Sequence, residues 1–180
     1  MIGLLPKELH IEGEACTINS DYRAALTIFE AFEDPDLTLK TKQVTMLEIL
    51  YDFMIPDNVR EAHKQAIWFL NVGDAVKKDD GVKTLDYKQD EQLLFSSINK
   101  VAGHDIREDD YLHWWTFYGL CQAIDSESLI STIVQLRYKM GTGKKLEKWE
   151  REWYANNRHL VDLKSAQQDY DAMVAFLRGM

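Results

Sequence analysis

Five residues that could bind a metal ion lie close together in the chain: His104, Asp105, Asp109, Asp110 and His113. Imidazole nitrogens and carboxylate oxygens are ligands for zinc and manganese. Their spacing, however, follows no pattern such as HExxH, which places two ligands on one face of a helix. Asp109 and Asp110 directly precede an apolar run, where carboxylates cap the first turn of a helix. We therefore expect helix capping here, with no metal site and no bound cofactor.

A second stretch, residues 140–145, superficially resembles a phosphate-binding loop because Gly143 and Lys144 are adjacent. The Walker pattern requires a glycine five residues before that pair and a serine or threonine after it. Tyr138 and Lys145 occupy those two positions. No strand is predicted before the stretch, so the sequence indicates a turn between two helices.

Nucleophilic catalysis also lacks a sequence signature. The chain has no GxSxG motif, and Cys16 and Cys121 have no activating residues beside them. Without a CxxC or Cys/His partner, they suggest neither a disulfide framework nor a zinc site. We expect two reduced thiols that pack as small apolar side chains, in a protein that is not an enzyme.

The bulk composition is that of an acidic globular domain. The 180 residues include 30 acidic and 21 basic side chains, giving a net charge of −9. At about 100–200 residues per domain, this length predicts one domain over residues 1–180. The acidity argues against nucleic-acid binding, which depends on clustered Lys and Arg. There is no signal-peptide pattern and no apolar stretch of the ~18–20 residues that span a membrane, so we expect a cytoplasmic protein without a membrane partner.

The elements that position these residues are mostly helices. Residues 9–18 contain two short β-forming runs around Gly13, which is typical of a hairpin. Beyond it, apolar residues recur every three or four positions. This periodicity predicts helices at about 22–33, 39–54, 57–73, 87–102, 110–124, 129–140, 145–156 and 163–178. We expect a mainly α protein, a compact bundle of about seven or eight helices with a short N-terminal β-hairpin.

Three parts of this bundle have distinct expected roles. Residues 73–86 form a mobile charged loop, and 163–178 form a C-terminal helix that either joins the bundle or is an appendage to it. The run Tyr111–Ile124 is apolar around most of its circumference, which is typical of a helix in the middle of a bundle or under a partner. We expect it to be the central core helix, with Trp114 and Trp115 in its packing.

Two stretches near the C-terminus combine aromatic and aliphatic residues at helical spacing. The first, residues 144–158, alternates basic and acidic residues around its aromatic side chains. The second is the helix predicted at 163–178. We interpret both stretches as packing stripes, or alternatively as partner-facing strips, because Trp and Tyr are frequent interface anchors. The candidate partner-contact residues are Trp149, Trp153, Tyr170, Met173, Val174 and Leu177.

Several segments, taken in order, resemble a known family. They are Ile18–Arg23, Leu85–Tyr87 after the charged loop, Asp110–Phe117, Arg137–Lys139 and Lys148–Glu152. Together they resemble the bacteriophage "gene product fifteen" family, found in long-tailed phages and prophages of Gram-positive bacteria. The resemblance extends from about Leu9 to about Arg158 and is most specific at Asp110–Trp115.

The resemblance implies a non-enzymatic factor for phage tail assembly. In such phages the gene lies between those of the major tail protein and the tape-measure protein, a position similar to that of tail assembly chaperones. Such chaperones are often made as two products by a programmed frameshift. The implied partners are the tape-measure protein, the tail-tube protein and an upstream frameshift-related chaperone, met in the host cytoplasm, with the protein absent from the mature virion. Self-association is compatible with exposed aromatic stripes.

Three alternatives stay open. The first is a structural tail or neck component that remains in the virion, and the second is a nucleic-acid-binding regulator. The third is a metal-dependent hydrolase that uses the neighbourhood of His104 and His113. The sequence favours the chaperone over these, in the order given.

Overall fold

The computed structural model describes residues 3–75 and 81–164 of the chain. These ranges contain a two-stranded antiparallel hairpin followed by eight α-helices. The strands are β1 (Glu8–Ile11) and β2 (Glu14–Thr17), and the helices are α1 (Tyr22–Glu33), α2 (Leu39–Leu50), α3 (Val59–Leu70), α4 (Glu91–Ala102), α5 (Trp114–Gln122), α6 (Leu129–Gly141), α7 (Lys148–Asn156) and α8 (Arg158–Val161). The predicted mainly α fold with an N-terminal hairpin is confirmed.

Some predictions fall on other parts of the chain. The helix predicted at 163–178 lies outside the described residues, apart from its first two positions, and so does the middle of the loop predicted at 73–86. None of the helices in the described ranges combines the length and apolarity needed to cross a bilayer.

The chain divides into two compact units. Of the described residues, the first unit contains 3–75 and 98–123, and the second contains 81–97 and 124–164. The division falls within α4, after Ser97. The expectation of a single domain over 1–180 stays a prediction.

The core of the first unit is built from one face of each of its helices. The fully buried large side chains include Tyr22 and Ile28 of α1, Met46 and Leu50 of α2, Phe69 of α3 and Phe117 of α5. Leu9 and Ile11 of β1 point inward, so the hairpin rests on this core. A two-stranded hairpin is marginally stable alone and needs such support.

Helix α5 begins at Trp114, four residues later than the predicted start at Asp110. The preceding segment is extended and pairs with the chain before α1: Tyr22 N–H donates to Leu112 O at 2.9 Å, and Trp114 N–H donates to Ser20 O at 2.8 Å. The carboxylate of Asp21 accepts from Leu112 N–H and also caps α1. The predicted capping of α5 by aspartates is therefore wrong, because the residues before Trp114 pair with a distant segment and the N-cap is His113.

Helix α5 was predicted to be a central helix, buried around most of its circumference, but only part of its surface is buried. Trp114 and Phe117 are buried, whereas Tyr118 and Gly119 are exposed. Its apolar composition therefore serves one packed face and one surface face.

Helix α2 ends at Leu50 rather than at the predicted Met54. Asp52 and Phe53 follow with φ of 49° and 61°, a left-handed conformation that bulky side chains rarely adopt. Phe53 is 76% exposed and Met54 is 74% exposed. Tyr51 and Met54 suggested the longer helix, and of these Tyr51 is buried beside the end of α2 while Met54 is exposed beyond it.

The second unit packs around an apolar cluster of Ile133, Leu136 and Val161. Leu146, Trp153 and Leu160 are among the partly buried side chains that pack against it. The four-residue α8, which supplies Val161, was not predicted because it is too short to show a periodic pattern.

A turn joins α6 to α7 where the sequence superficially resembled a phosphate loop. Gly143 has φ of 69°, and Lys144 N–H donates to Lys139 O at 2.8 Å, which closes the C-terminus of α6. Glu147 and Glu150 then form a reciprocal capping box at the start of α7. The predicted turn between two helices is confirmed.

Candidate protein-interaction site

The residues that raised the question of a metal have different partners in the structure, and His104 and Asp109 are partners of each other. His104 Nε2 contacts the Asp109 carboxylate at 3.0 Å, and this bond raises the pKa of His104. Arg107 binds Asp105 at 2.6 Å and holds the pKa of that carboxyl well below its ordinary value. His113 is buried elsewhere in the same unit. Among the described residues, no group of three His, Cys, Asp or Glu side chains is placed to hold a metal ion.

His113 has a structural place at the start of α5. Its Nδ1 accepts from Trp115 N–H at 3.0 Å, which makes it the N-cap, and its Nε2 lies 2.8 Å from Pro6 O. These contacts fit the neutral ring with its proton on Nε2, and burial lowers the pKa of His113. The side chain thus ties the N-terminal segment to α5.

The two tryptophans that follow His113 join the start of α5 to the end of α3. The indole N–H of Trp114 donates to Leu70 O at 3.1 Å, and that of Trp115 donates to Phe69 O at 2.9 Å. Both carbonyls belong to the last residues of α3, where helical partners run out. Gly73 packs directly under the Trp115 ring. The expected packing role of the Trp pair is confirmed.

The cysteines are free thiols, both partly buried. Burial raises the pKa of Cys121 to about 12, so its thiolate is scarcely populated at neutral pH. Cys16 lies in β2, opposite Leu9 of the hairpin.

The predicted partner-contact strip divides into residues in different environments. Trp149 is 59% exposed, whereas Trp153 packs against the apolar cluster of the second unit. Tyr170, Met173, Val174 and Leu177 lie outside the described residues. Partner contact through these side chains stays a prediction, and Trp149 is the described member with most of its surface accessible.

The surface feature that sequence reasoning missed is an apolar groove on the first unit. We call it the α2–α3 groove, and it consists of two adjoining hollows of about 280 Å³ and about 450 Å³. Gln43 of α2 and His63 of α3 line both hollows. The residues lining the first hollow also include Ile28, Phe29, Phe32, Met46, Ile67, Leu70 and Asn71, and those lining the second include Lys40, Val44, Leu47, Val59 and Arg60.

The spacing of these residues explains why the groove exists. Val44 and Leu47 lie three positions apart on α2, and Val59, His63 and Ile67 lie four apart on α3, so each set forms one stripe along its helix. Helix α2 carries apolar residues on more of its surface than α1 and α3 cover. The large number of apolar residues on α2 is visible in the sequence. Which of them remain exposed depends on how α1 and α3 pack against α2.

The edge of the second hollow is basic. Lys40 and Arg60 line the second hollow and are exposed, and among the described residues that line the two hollows none is acidic. This local charge is opposite in sign to the net charge of −9. An apolar floor with a cationic edge can bind a segment of complementary character.

Comparison with known proteins gives one match. A family model described as Bacteriophage Gp15 protein matches residues 1–163. No curated protein and no solved structure matches the chain.

Proposed function

Because the chain belongs to the Bacteriophage Gp15 protein family, we propose that it is a tail assembly chaperone that binds the tape-measure protein before the tail tube forms around it. In this proposal the client is a long helical chain with apolar faces. The protein covers those faces in the host cytoplasm and leaves before the virion is complete.

The observation that carries the proposal is the α2–α3 groove. Amphipathic helices bind proteins by laying their apolar stripe into such grooves. The groove has apolar side chains from three helices. Three of the large apolar residues that line it are exposed: Phe32, Val44 and Val59. Apolar surface of this kind on a soluble protein is typical of an interaction site.

The proposed activity is binding without catalysis. The polar residues that first suggested chemistry have structural partners: His113 caps α5, and Asp105 holds Arg107. The net charge of −9 would keep a complex with an apolar client in solution. Contacts with the tail-tube protein, with an upstream frameshift-related chaperone and between copies of the chain belong to the same proposal.

Coexpression tests the proposal. A fragment of the tape-measure protein encoded by the same phage is produced alone, with this protein, and with an unrelated acidic helical protein as a control. We expect the fragment to be soluble only with this protein and to copurify with it. A fragment that stays equally insoluble in all three cases contradicts the proposal.

Mass spectrometry of purified virions separates a chaperone from a structural tail or neck component. We expect no stoichiometric amount of the protein in the particle. A constant copy number per virion would favour the structural component, whose apolar surface would then be a permanent interface.

A further inference from the structure

We propose that the α2–α3 groove binds one amphipathic helix whose apolar stripe is flanked by acidic side chains. The proposal rests on the proposed function, and it names both the surface that binds the client and the kind of client segment that fits it. The length of the groove, its floor and the charges at its edge support this assignment.

The length of the groove matches a short helix. Its lining extends from Val59 to Asn71 along α3, which at 1.5 Å per residue is about 18 Å. A bound helix of about 12 residues, slightly more than three turns, covers the same distance. An anchor every three or four residues would place about four apolar side chains in the groove.

The floor of the groove is apolar within each hollow, on either side of Gln43 and His63, which line both. Met46 and Leu70 lie at the base of the first hollow and Leu47 at the base of the second, and all three are buried. Val44 and Val59 line the second hollow and are about half exposed, at 41% and 51%. A partner helix would cover these two residues without any rearrangement of the core.

The charges at the edge select the flanks of the ligand. Lys40 on α2 and Arg60 on α3 line the same hollow. A helix lying in the hollow presents the residues beside its apolar stripe to both edges, so acidic residues there would meet a cation on each side. Basic flanks would be repelled, which gives the groove a preference that apolar contacts alone cannot supply.

The test uses the full-length protein and a set of overlapping peptides of about 20 residues that cover the tape-measure protein. Binding is measured by fluorescence anisotropy at low and at moderate salt. We expect the tightest binders to carry an apolar stripe at i, i+3, i+4 and i+7 with Asp or Glu beside it. Binders whose stripes have basic flanks would overturn the proposal.

Charge reversal places the binding in the groove. The double variant K40E/R60E should bind an acidic-flanked peptide about tenfold more weakly at low salt, with a smaller difference at higher salt because screening weakens exposed charges. Changing the acidic flanks of the peptide to lysine should restore binding to this variant. Unchanged affinity for the original peptide would overturn the proposal.

The matched control is K64E. Lys64 is an exposed cation on the same helix that does not line either hollow, and its nearest acidic partner is Glu61 at 3.6 Å. We expect K64E to bind the peptide like the wild-type protein. K64E changes the net charge by −2 and K40E/R60E by −4, so a loss of binding free energy in K64E of about half that in the double variant, or more, would overturn the proposal, because it would reflect net charge rather than the groove.

The outcomes separate this proposal from the proposed function. If the coexpressed fragment stays soluble and K40E/R60E binds it normally, the groove proposal fails while the chaperone proposal stands. If the fragment is insoluble with the wild-type protein and no peptide binds, both fail. If the variant changes the oligomeric state of the free protein and leaves peptide binding intact, the groove is an interface between copies, and the proposal is overturned.

Discussion

Replacing Asp90 with asparagine should unfold the second unit at a lower temperature and a lower urea concentration than in the wild-type protein. Asp90 and Arg137 form an ion pair with oxygen–nitrogen distances of 2.5 Å and 3.0 Å, and their side chains are 2% and 4% exposed. The guanidinium also donates to three carbonyl oxygens, those of Thr84, Leu160 and Val161. One side chain thus joins α6 to α8 and to the segment before α4.

The size of the effect follows from the burial of both charges. Asparagine keeps the shape of Asp90 but leaves the Arg137 cation buried without a counter-charge. Breaking a buried pair in this way costs about 3–5 kcal/mol. At about 2–4 °C per kcal/mol for a chain of 150–250 residues, Tm should fall by about 6–20 °C.

Thermal melts and urea titrations followed by circular dichroism measure the change. Hydrogen exchange of peptides from 81–97 and 124–164 shows whether the loss lies in the second unit. The control is E152Q: Glu152 pairs with Lys148 at 3.9 Å with both side chains exposed, so its loss should cost less than about 1 kcal/mol. A double variant, D90L/R137M, should be more stable than D90N, since it leaves no unpaired buried charge.

Two results would refute this reasoning. One is a D90N variant within about 1 kcal/mol of the wild-type protein, as an exposed pair would give. The other is a D90L/R137M variant less stable than D90N, which would mean that the carbonyl contacts of Arg137 matter more than its charge.

Three further predictions concern single contacts. Because burial lowers the pKa of His113, this side chain takes up a proton more readily in the unfolded chain than in the folded one. The free energy of unfolding should therefore decline as pH falls below about 6.5. H113N should reduce this dependence, measured by urea titrations at pH 7.5 and 5.5. G141A should lose about 1–3 kcal/mol because its Cβ would overlap the Val82 side chain, and adding V82A should restore most of the loss in thermal melts. W149A should change the unfolding free energy by less than about 0.5 kcal/mol, while W153A should lose about 2–3 kcal/mol, and equal effects would contradict the different burial of the two rings.

The sequence was sufficient where a local signal decides the structure. Asp21 directly precedes the periodic pattern of α1, the position where Asp is a favoured N-cap, and its carboxylate accepts from Arg23 N–H at 2.8 Å. Helix α6 runs over Leu129–Gly141, close to the predicted 129–140, because Ser128 caps its start and Gly143 its end. Such signals act within a few residues, so they can be identified without knowledge of the packing.

The sequence was insufficient where a distant segment competes with the helix. Residues before Trp114 have helix-compatible spacing, yet they extend to pair with residues 20–22, about ninety positions earlier. The turn after Leu50 is similar, since Asn19 N–H donates to Leu50 O at 2.7 Å, and the chain leaves the helical path directly afterwards. Neither pairing has a local pattern.

The groove was missed for the same physical reason, while the C-terminal aromatic residues were interpreted as packing stripes or, alternatively, as partner contacts. A stripe of apolar residues predicts that some surface covers it. That surface belongs to the same chain where another helix packs against the stripe, and it is left to a partner protein where none does. Trp153 has such a neighbour in its own unit, whereas Val44 and Val59 remain half exposed beside two cations. The net charge of −9 does not reveal the basic edge, because a sum over the chain conceals two cations on helices that meet only in the fold. The candidate site of this protein is therefore a property of packing, and the ligand preference that we propose for it rests on charges that become neighbours only when α2 and α3 lie side by side.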